Sequence, residues 1–351
     1  MNAFLGFTIG GIVFGAVYAV IASGLVVTYT TSGIFNFAHG AIGMLMGFAY
    51  WELRVHQHWP APIALFVVLI VLAPLLGALI ERVLIRQLDP TDTSTTLVVT
   101  LGLLLALMGV AYVIWDAQTS RTVPEFFAGS HVRLGHTSVS YHELITIALA
   151  IAVAIGLRLL FFSTRLGVAM RAVVDDRDLA ALNGARPSWV SQLSWILGSS
   201  LAAIGGILLA PKVGLDVLGL TFLVVNGFAA AMLGRLRNLP LTFLGALLLG
   251  LAENYTTGYV LPHMPNFLAN LRTAIPTLML FVILIALPQV RLRAGRLVGA
   301  RVPRVPSARA SAIAAVAFVA VAWLVAGRLS GGDLNTASQA LSVGIIGLSM
   351  V

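Results

Sequence analysis

Polar side chains that interrupt apolar runs are the residues best able to do chemistry in this chain. The segment Gly33–Gly40 reads GIFNFAHG and holds Asn36 and His39 three residues apart. That spacing puts two side chains on one face of a helix, and Gly40 continues the strip with room for a close neighbour. An amide and an imidazole there could form a polar wall along a solute path. They could equally hydrogen-bond neighbouring helices as buried structural groups.

A second polar group occurs late in the chain. Glu253 and Asn254 lie near the end of one apolar run, and Asn226 lies inside another. An intramembrane carboxylate or amide is costly to bury, so each is a candidate for contact with a polar solute. Glu253 could instead pair with Arg272 across a loop, or simply occupy a membrane interface.

The longest polar break in the first 290 residues reads TRLGVAMRAVVDDRDLAALNGARPSW and begins at Thr164. Asp176, Ala180 and Gly184 recur at a spacing of four, which predicts one helical face with small residues on it. Gly184 suits the end of such a helix. The pattern predicts a short helix that docks on a partner, and the alternative is a solvated amphipathic turn at the membrane surface.

Patterns of catalytic residues are missing from the sequence. It has no H-E-x-x-H, G-x-S-x-G or G-x-x-x-x-G-K-[ST] motif, and the absence of Cys excludes thiolate chemistry. Most of the seven His residues, His142 among them, fall in breaks expected outside the membrane, and none has a persuasive metal-ligand spacing. We therefore expect no catalytic residue, metal or bound cofactor in this chain. Any ATP-driven step would need another chain to bind the ATP.

The elements that position these residues must lie in a lipid bilayer. Hydrophobic residues make up 59% of the 351 positions and charged residues 10%, against roughly a quarter charged in soluble domains. Mean hydropathy is +0.98, and so few charges could not cover the surface of a soluble protein of this size. The net charge of +8 arises mainly from Arg in short breaks between apolar runs. Nucleic acid is therefore not an expected partner.

The apolar runs predict an all-α polytopic membrane protein, because an unpaired backbone is not tolerated in lipid. A span takes about 20 residues, and residues 1–51 hold two, separated by a turn predicted at Tyr29–Gly33. Seven more runs lie near 61–80, 93–115, 143–162, 188–210, 217–234, 238–255 and 267–288. The prediction is nine transmembrane helices, followed by two further apolar runs near 311–327 and 337–351.

The basic residues orient the chain and divide it. With the N-terminus outside, the breaks on the inner side hold fifteen of the 21 Lys and Arg residues, as cytoplasmic loops do. Six of them fall in residues 291–309, RLRAGRLVGARVPRVPSAR. This pattern predicts a first membrane unit over 1–290, an Arg- and Pro-rich cytoplasmic linker over 291–310, and the start of a second, apparently truncated unit over 311–351.

Two of these motifs resemble a known family. The stretch Gly33–Gly47, GIFNFAHGAIGMLMG, is similar to the signature near the start of the permeases of branched-chain amino acid (Liv-type) ABC importers. Arg171–Gly184, RAVVDDRDLAALNG, resembles that family's coupling segment. Its DLAALNG portion fits the acidic-x-Ala-x-x-x-Gly core shared by ABC importers more widely. The resemblance runs from Met1 to about Leu287 and preserves the order of segments.

The resemblance implies a multi-pass subunit of the bacterial inner membrane that passes an amino acid delivered by a periplasmic binding protein. ATP and Mg would reside on two cytoplasmic ATPase subunits, and a second permease half, fused or separate, would complete the path. The implied coupling residues are Arg171, Asp176, Asp178, Ala180 and Gly184, and those of the path are Asn36, His39, Gly40, Asn226 and Glu253.

One loop departs from the family pattern. The family has a Gly-rich loop after the AAAMLG-like stretch, whereas this chain reads GRLRNLP from Gly234 to Pro240. Two Arg residues replace small ones, which affects the expected backbone geometry and leaves the exact substrate open. The resemblance itself implies a family that also accepts other amino acids, amides and urea-like solutes.

An alternative function is that of an ion-coupled secondary carrier for a small polar solute. Glu253 and His39 would form its proton relay, and it would need no ATPase. A membrane enzyme is a third interpretation, but no pair of nucleophile and base supports it.

Overall fold

A computed structural model describes residues 2–88, 93–116, 119, 121–134, 137–263 and 271–286, with four further positions at 316, 319, 320 and 323. The chain divides into a unit over Met1–Ala286 and another over Leu287–Val351. The four further positions are helical and belong to the second unit. The linker predicted over 291–310 lies outside the described residues, as does nearly all of 311–351.

Twelve α-helices and one β-hairpin form the described part of the chain. The helices are α1 (Asn2–Ser32), α2 (His39–Trp51), α3 (Ala61–Phe66), α4 (Ala73–Val83), α5 (Thr93–Ile114), α6 (Tyr141–Ser163), α7 (Arg165–Asp175), α8 (Arg177–Leu182), α9 (Pro187–Val213), α10 (Val217–Leu233), α11 (Leu239–Tyr255) and α12 (Leu271–Ala286). The hairpin pairs β1 (His131–Leu134) with β2 (Thr137–Ser140) in antiparallel register. Stretches of π-helix occupy Glu52–His56, Val67–Leu72 and Thr256–Val260, and 3-10 turns occupy Ile85–Leu88 and Leu261–His263.

Five of the helical segments are long and apolar enough to cross a membrane. They are Phe4–Ser32, Ala61–Leu88, Thr95–Ile114, Tyr141–Ser163 and Pro187–Val213. Val217–Leu233 and Ala274–Ile283 are apolar but shorter. The described part is therefore helical as predicted, apart from the short β1–β2 hairpin, and its residues support five spans by length rather than the nine predicted.

The turn predicted at Tyr29–Gly33 is wrong in its position. Helix α1 continues to Ser32 because its hydroxyls bond back within the helix: Thr30 and Ser32 donate to the carbonyls of Val26 and Thr28, each at 2.7 Å. Satisfied in this way, Thr and Ser do not interrupt a helix. The break falls later, where Gly33 takes a φ of +70° and the chain stays non-helical until His39.

Helix α1 occupies the centre of the bundle and contacts α6, α7, α9, α10 and α11. Its glycines permit this because they leave no side chain between backbones. A Cβ at Gly11 would lie 2.9 Å from the Cα of Leu251 on α11, and one at Gly15 would lie 2.8 Å from the Cα of Leu247. Small residues at such crossings let membrane helices approach closely.

The bundle has two ends, which position the candidate residues. The hairpin end holds β1 and β2, the start of α6 and the end of α9, since Lys212 on α9 forms an ion pair of 2.9 Å with Glu143 on α6. The α8 end holds α7, α8, the end of α6 and the start of α9. Met170, Val173 and Ala180 of this end share one apolar cluster with α1 and α6, so α7 and α8 are packed onto the bundle rather than detached from it.

Candidate functional site

The segment between α6 and α9 folds as two short helices held against the bundle. Thr164 caps α7, its Oγ1 accepting a hydrogen bond of 3.0 Å from the amide of Gly167. Gly167 lies directly on the backbone of Leu160 and Phe161 at the end of α6. No larger residue fits there, so the chain turns tightly from the membrane span into α7.

The prediction that Asp176, Ala180 and Gly184 share one helical face is wrong. The helix breaks at Asp176, whose φ of −154° and ψ of 107° are extended. Its Oδ1 accepts a hydrogen bond of 2.9 Å from the amide of Leu179, which makes Asp176 the N-cap of α8. Asp is more stable at the N-cap of a helix than in its interior, because its short side chain accepts hydrogen bonds from nearby amides. That preference breaks the continuous helix that the spacing of four had predicted.

Ala180 and Gly184 also have different surroundings. Ala180 is buried at 6% exposure in the apolar cluster shared with α1 and α6, so its small side chain serves the fold of this chain. Gly184 is exposed, with a φ of +88°, and it ends α8 as predicted. The amide of Gly184 donates to the carbonyl of Ala181 and that of Ala185 to the carbonyl of Ala180, both at 3.0 Å. This pair of bonds is a Schellman motif.

Two leucines that the sequence interpretation missed dominate the outer face of α8. Leu179 is 57% exposed and Leu182 is 85% exposed. Their spacing of three on a polar loop could have indicated an apolar face. Arg171 is also exposed, and its guanidinium lies 5.0 Å from the ring centroid of Phe162. Asp178 lies in α8, and its side chain is outside the described set.

The polar residues near the start of α2 are buried between helices. The Nε2 atom of His39 lies 3.0 Å from the carbonyl oxygen of Ile21 on α1, and the ring packs against Gly24. Gly40 lies on the backbone of Thr221 in α10, which confirms the close approach predicted for it. Asn36 precedes α2, so the prediction that it shares a helical face with His39 is wrong.

Three buried polar atoms near this point have no hydrogen-bond partner among the described residues. They are Oδ1 of Asn36, Nδ1 of His39 and Oγ1 of Thr221. Buried polar atoms in native structures are almost always paired, so unpaired ones call for a ligand, a water or another chain.

Glu253 and Asn226 are brought together by the fold. The Nδ2 of Asn226 donates a hydrogen bond of 3.0 Å to Oε1 of Glu253, and the hydroxyl of Tyr18 donates one of 2.7 Å to Oε2. Glu253 is only 3% exposed. These bonds tie α1, α10 and α11 together, which favours the interpretation of these side chains as helix-to-helix links. The side chain of Arg272, the other partner considered for Glu253, is outside the described residues.

A cluster of charges at the hairpin end was not anticipated. Lys212 lies 3.1 Å from Glu125 and 2.9 Å from Glu143. Burial by itself raises the pKa of Glu125, but hydrogen bonding and the positive charge of Lys212 outweigh it and hold that pKa below its usual value. His142, expected outside the membrane, is buried at 1% exposure, with Nε2 3.0 Å from the carbonyl oxygen of Leu208. Within the described ranges no three His, Asp or Glu side chains form a group able to hold a metal ion.

Residues 7–287 match the family model described as the permease component of the branched-chain amino acid transport system. The chain belongs to this family. It is 30% identical over 260 residues to the high-affinity branched-chain amino acid transport system permease protein BraD of Pseudomonas aeruginosa, covering 70% of this chain and 84% of that protein. It is 28% identical over 263 residues to the corresponding protein LivH of Escherichia coli K12, covering 71% and 85%.

A third relative comes from an archaeon. The probable branched-chain amino acid transport permease protein LivH of Methanocaldococcus jannaschii is 26% identical over 261 residues, covering 72% of this chain and 80% of that protein. No solved structure matches the chain.

As a member of a permease family, the chain is a membrane transport component and not a catalytic enzyme. Membership also favours a permease component of a branched-chain amino acid transport system over an ion-coupled secondary carrier.

Proposed function

We propose that this chain is the transmembrane permease subunit of an ATP-binding-cassette importer for branched-chain or related amino acids. Membership of the family supports the solute class. The observation that carries the coupling role is α8, where Leu179 and Leu182 are exposed beside the capping Asp176. Contact with a partner would remove the apolar surface of the two leucines from water and so stabilise the complex. The partner that an importer needs there is its ATPase.

The partners follow from what the chain itself does not supply. The sequence contains no phosphate-binding loop, so two cytoplasmic ATPase subunits carry ATP and Mg. A periplasmic binding protein delivers the amino acid, and a second permease half completes the path. When the ATPases close, they push on α7 and α8 and shift the bundle between inward-open and outward-open states as a rigid body.

The charge distribution supports an inner-membrane orientation with the N-terminus outside. Basic residues crowd the α8 end, namely Arg82, Arg86, Arg158, Arg165, Arg171, Arg186, Arg235 and Arg237. The hairpin end has Arg54, Arg121, Arg133 and Lys212. Loops rich in Lys and Arg remain in the cytoplasm, so the α8 end faces the ATPases.

The polar residues buried around α1 shape the solute path rather than capture the solute. His39 and Glu253 are held by neighbouring helices, and Gly40 sets the distance between α2 and α10. Asn36 lies close to His39 in the chain, and Asn226 is hydrogen-bonded to Glu253. Affinity for the amino acid then resides in the binding protein, and the permease passes it without tight binding.

We propose, further, that nine spans precede a cytoplasmic linker over 291–310, and that residues 311–351 begin a second permease unit. The Arg- and Pro-rich composition of 291–309 and the apolar runs after it support this division.

The coupling role is tested by placing a charge on the outer face of α8. Leu182→Glu should abolish co-purification with the co-expressed ATPase subunits of the importer, because a carboxylate cannot enter an apolar contact without a large desolvation cost. Leucine uptake into proteoliposomes, which we expect to require ATP and the binding protein, should be lost with it. Leu182 is 85% exposed, so the variant should fold normally.

The matched control is Val132→Glu on β1, which is 37% exposed at the opposite end of the bundle. It should retain both ATPases and transport. Normal ATPase binding by Leu182→Glu would refute the assignment of α8, and uptake driven by a pH gradient alone would refute the importer.

A further inference from the structure

A cavity of about 600 Å³ opens at the hairpin end between α3, α6 and α9. Its wall is largely apolar, with aliphatic side chains such as Leu65, Leu69, Leu149 and Ile204 and the aromatic rings of Tyr50 and Phe126. Residues 61 to 69, which line one side, extend about 12 Å along a helix at 1.5 Å per residue. The cavity is therefore a largely apolar slot that begins near the end of the bundle and reaches into the membrane-spanning part.

The slot is flanked by surface suited to hydrocarbon. The residues that flank it are apolar and exposed: Ile63 is 50% and Phe66 is 60% exposed on α3, and Leu144 is 38% exposed on α6. In a membrane protein such faces contact acyl chains, so lipid has direct access to the cavity. A branched-chain amino acid offers only four side-chain carbons, too few to occupy a slot of this depth.

Charged groups stand at the mouth of the slot. Arg54 and Glu125 both line it. The guanidinium of Arg54 donates a hydrogen bond of 3.1 Å to the carbonyl of Trp59, and no carboxylate in the described part of the chain forms a salt bridge with it. Glu125 shares Lys212 with Glu143, which leaves one negative charge in excess on that side. The mouth thus offers one unmatched positive and one unmatched negative charge.

We propose that this cavity binds a membrane phospholipid of the zwitterionic ethanolamine class, with one acyl chain in the slot. The phosphate lies on Arg54, and the ammonium group lies near the carboxylates of Glu125 and Glu143. An acyl chain fills apolar space that would otherwise be empty at a cost in packing. Guanidinium is the side chain best matched to phosphate, and aromatic residues such as Trp51 and Trp59 lie beside Arg54 in the sequence, as they do at membrane interfaces.

Native mass spectrometry of the purified full-length chain tests the slot, with palmitoyl-oleoyl-phosphatidylethanolamine as the probe. Leu149→Trp fills the cavity and should retain one phospholipid fewer than the unaltered protein. Ile151→Trp is the matched control, because Ile151 lies two residues away on α6 and is 55% exposed. It should retain the full number. Equal retention by the two variants would overturn the proposal.

A second comparison tests the headgroup contact. Arg54→Gln should weaken binding of the ethanolamine phospholipid by about tenfold, since a charge-assisted hydrogen bond contributes roughly 1.5 kcal/mol. Binding of dioleoylglycerol, which has no phosphate, should be unchanged. Arg133→Gln, an exposed arginine of the same end, should bind both lipids normally. An equal loss of both lipids in Arg54→Gln, or displacement of the bound phospholipid by millimolar leucine, would show that the cavity is not a phospholipid site.

Discussion

Single side chains connect the helices through hydrogen bonds that are buried in the membrane-spanning part. Tyr18, Asn226 and Glu253 come from three helices and meet in one group. The sequence indicated Asn226 and Glu253, because each interrupts an apolar run. It could not indicate Tyr18, since a tyrosine among apolar residues is ordinary, nor the pairing, which joins residues 27 and 235 positions apart.

The Tyr18 hydroxyl provides a test at this scale. Tyr18→Phe should lower the free energy of unfolding by about 1 kcal/mol, because the carboxylate of Glu253 loses a buried donor while the ring still packs. Tyr29→Phe on the same helix is the control, since the Tyr29 hydroxyl forms no hydrogen bond with any residue that the structure describes. Thermal unfolding in detergent measures both, and equal melting temperatures for the two variants would contradict the importance of the buried bond.

Helix boundaries followed the apolar runs closely where a run was long. The runs near 143–162 and 188–210 became Tyr141–Ser163 and Pro187–Val213. Breaks were harder to predict, because hydroxyl residues can continue a helix, as at Ser32, and a short acidic side chain can start one, as at Asp176. Which of these occurs depends on hydrogen bonds that residue spacing does not specify.

The turn between α10 and α11 carries backbone strain. Arg235 and Leu236 take φ angles of 52° and 55°, a region that costs residues other than Gly roughly 1–2 kcal/mol each. Leu236 is 4% exposed, so packing compensates for its conformation, whereas Arg235 is exposed. The loop therefore has backbone angles that favour glycine, although Arg235 and Leu236 occupy the two positions.

Relief of that strain should be measurable. Arg235→Gly should raise the free energy of unfolding by about 0.5–1 kcal/mol, the cost of the left-handed conformation less the added freedom of glycine in the unfolded chain. Arg237→Gly, in the same turn but without a positive φ, should give no increase. A higher melting temperature for Arg237→Gly than for Arg235→Gly would show that the backbone angle is not the source of the effect.

At the scale of the whole molecule, the proposed orientation rests on the unequal numbers of basic residues at the two ends of the bundle. Composition alone predicted a membrane protein, and the Arg distribution predicted which breaks share a side. The sequence could not show that α7 and α8 pack on the bundle, because that depends on contacts between Ala180 and clusters formed by distant helices.

The lack of natural Cys allows orientation to be tested directly. Ser130→Cys, at an exposed position before β1, should react with a membrane-impermeant maleimide added to intact spheroplasts. Ser188→Cys, exposed in the first turn of α9 at the α8 end, should react only after the membrane is opened. The reverse labelling pattern would invert the proposed topology and would place α8 out of reach of a cytoplasmic ATPase.

The glycine contacts of α1 have a mechanical consequence. Where Gly11 and Gly15 meet α11, no flexible side chain separates the two backbones, so the helices cannot slide past one another without a steric clash. Because α7 also contacts α1, a force applied at α8 would move α1 and α11 together rather than be absorbed by side-chain rearrangement. A displacement at one surface of the membrane would then be carried by α1 and α11 to the opposite surface with little loss.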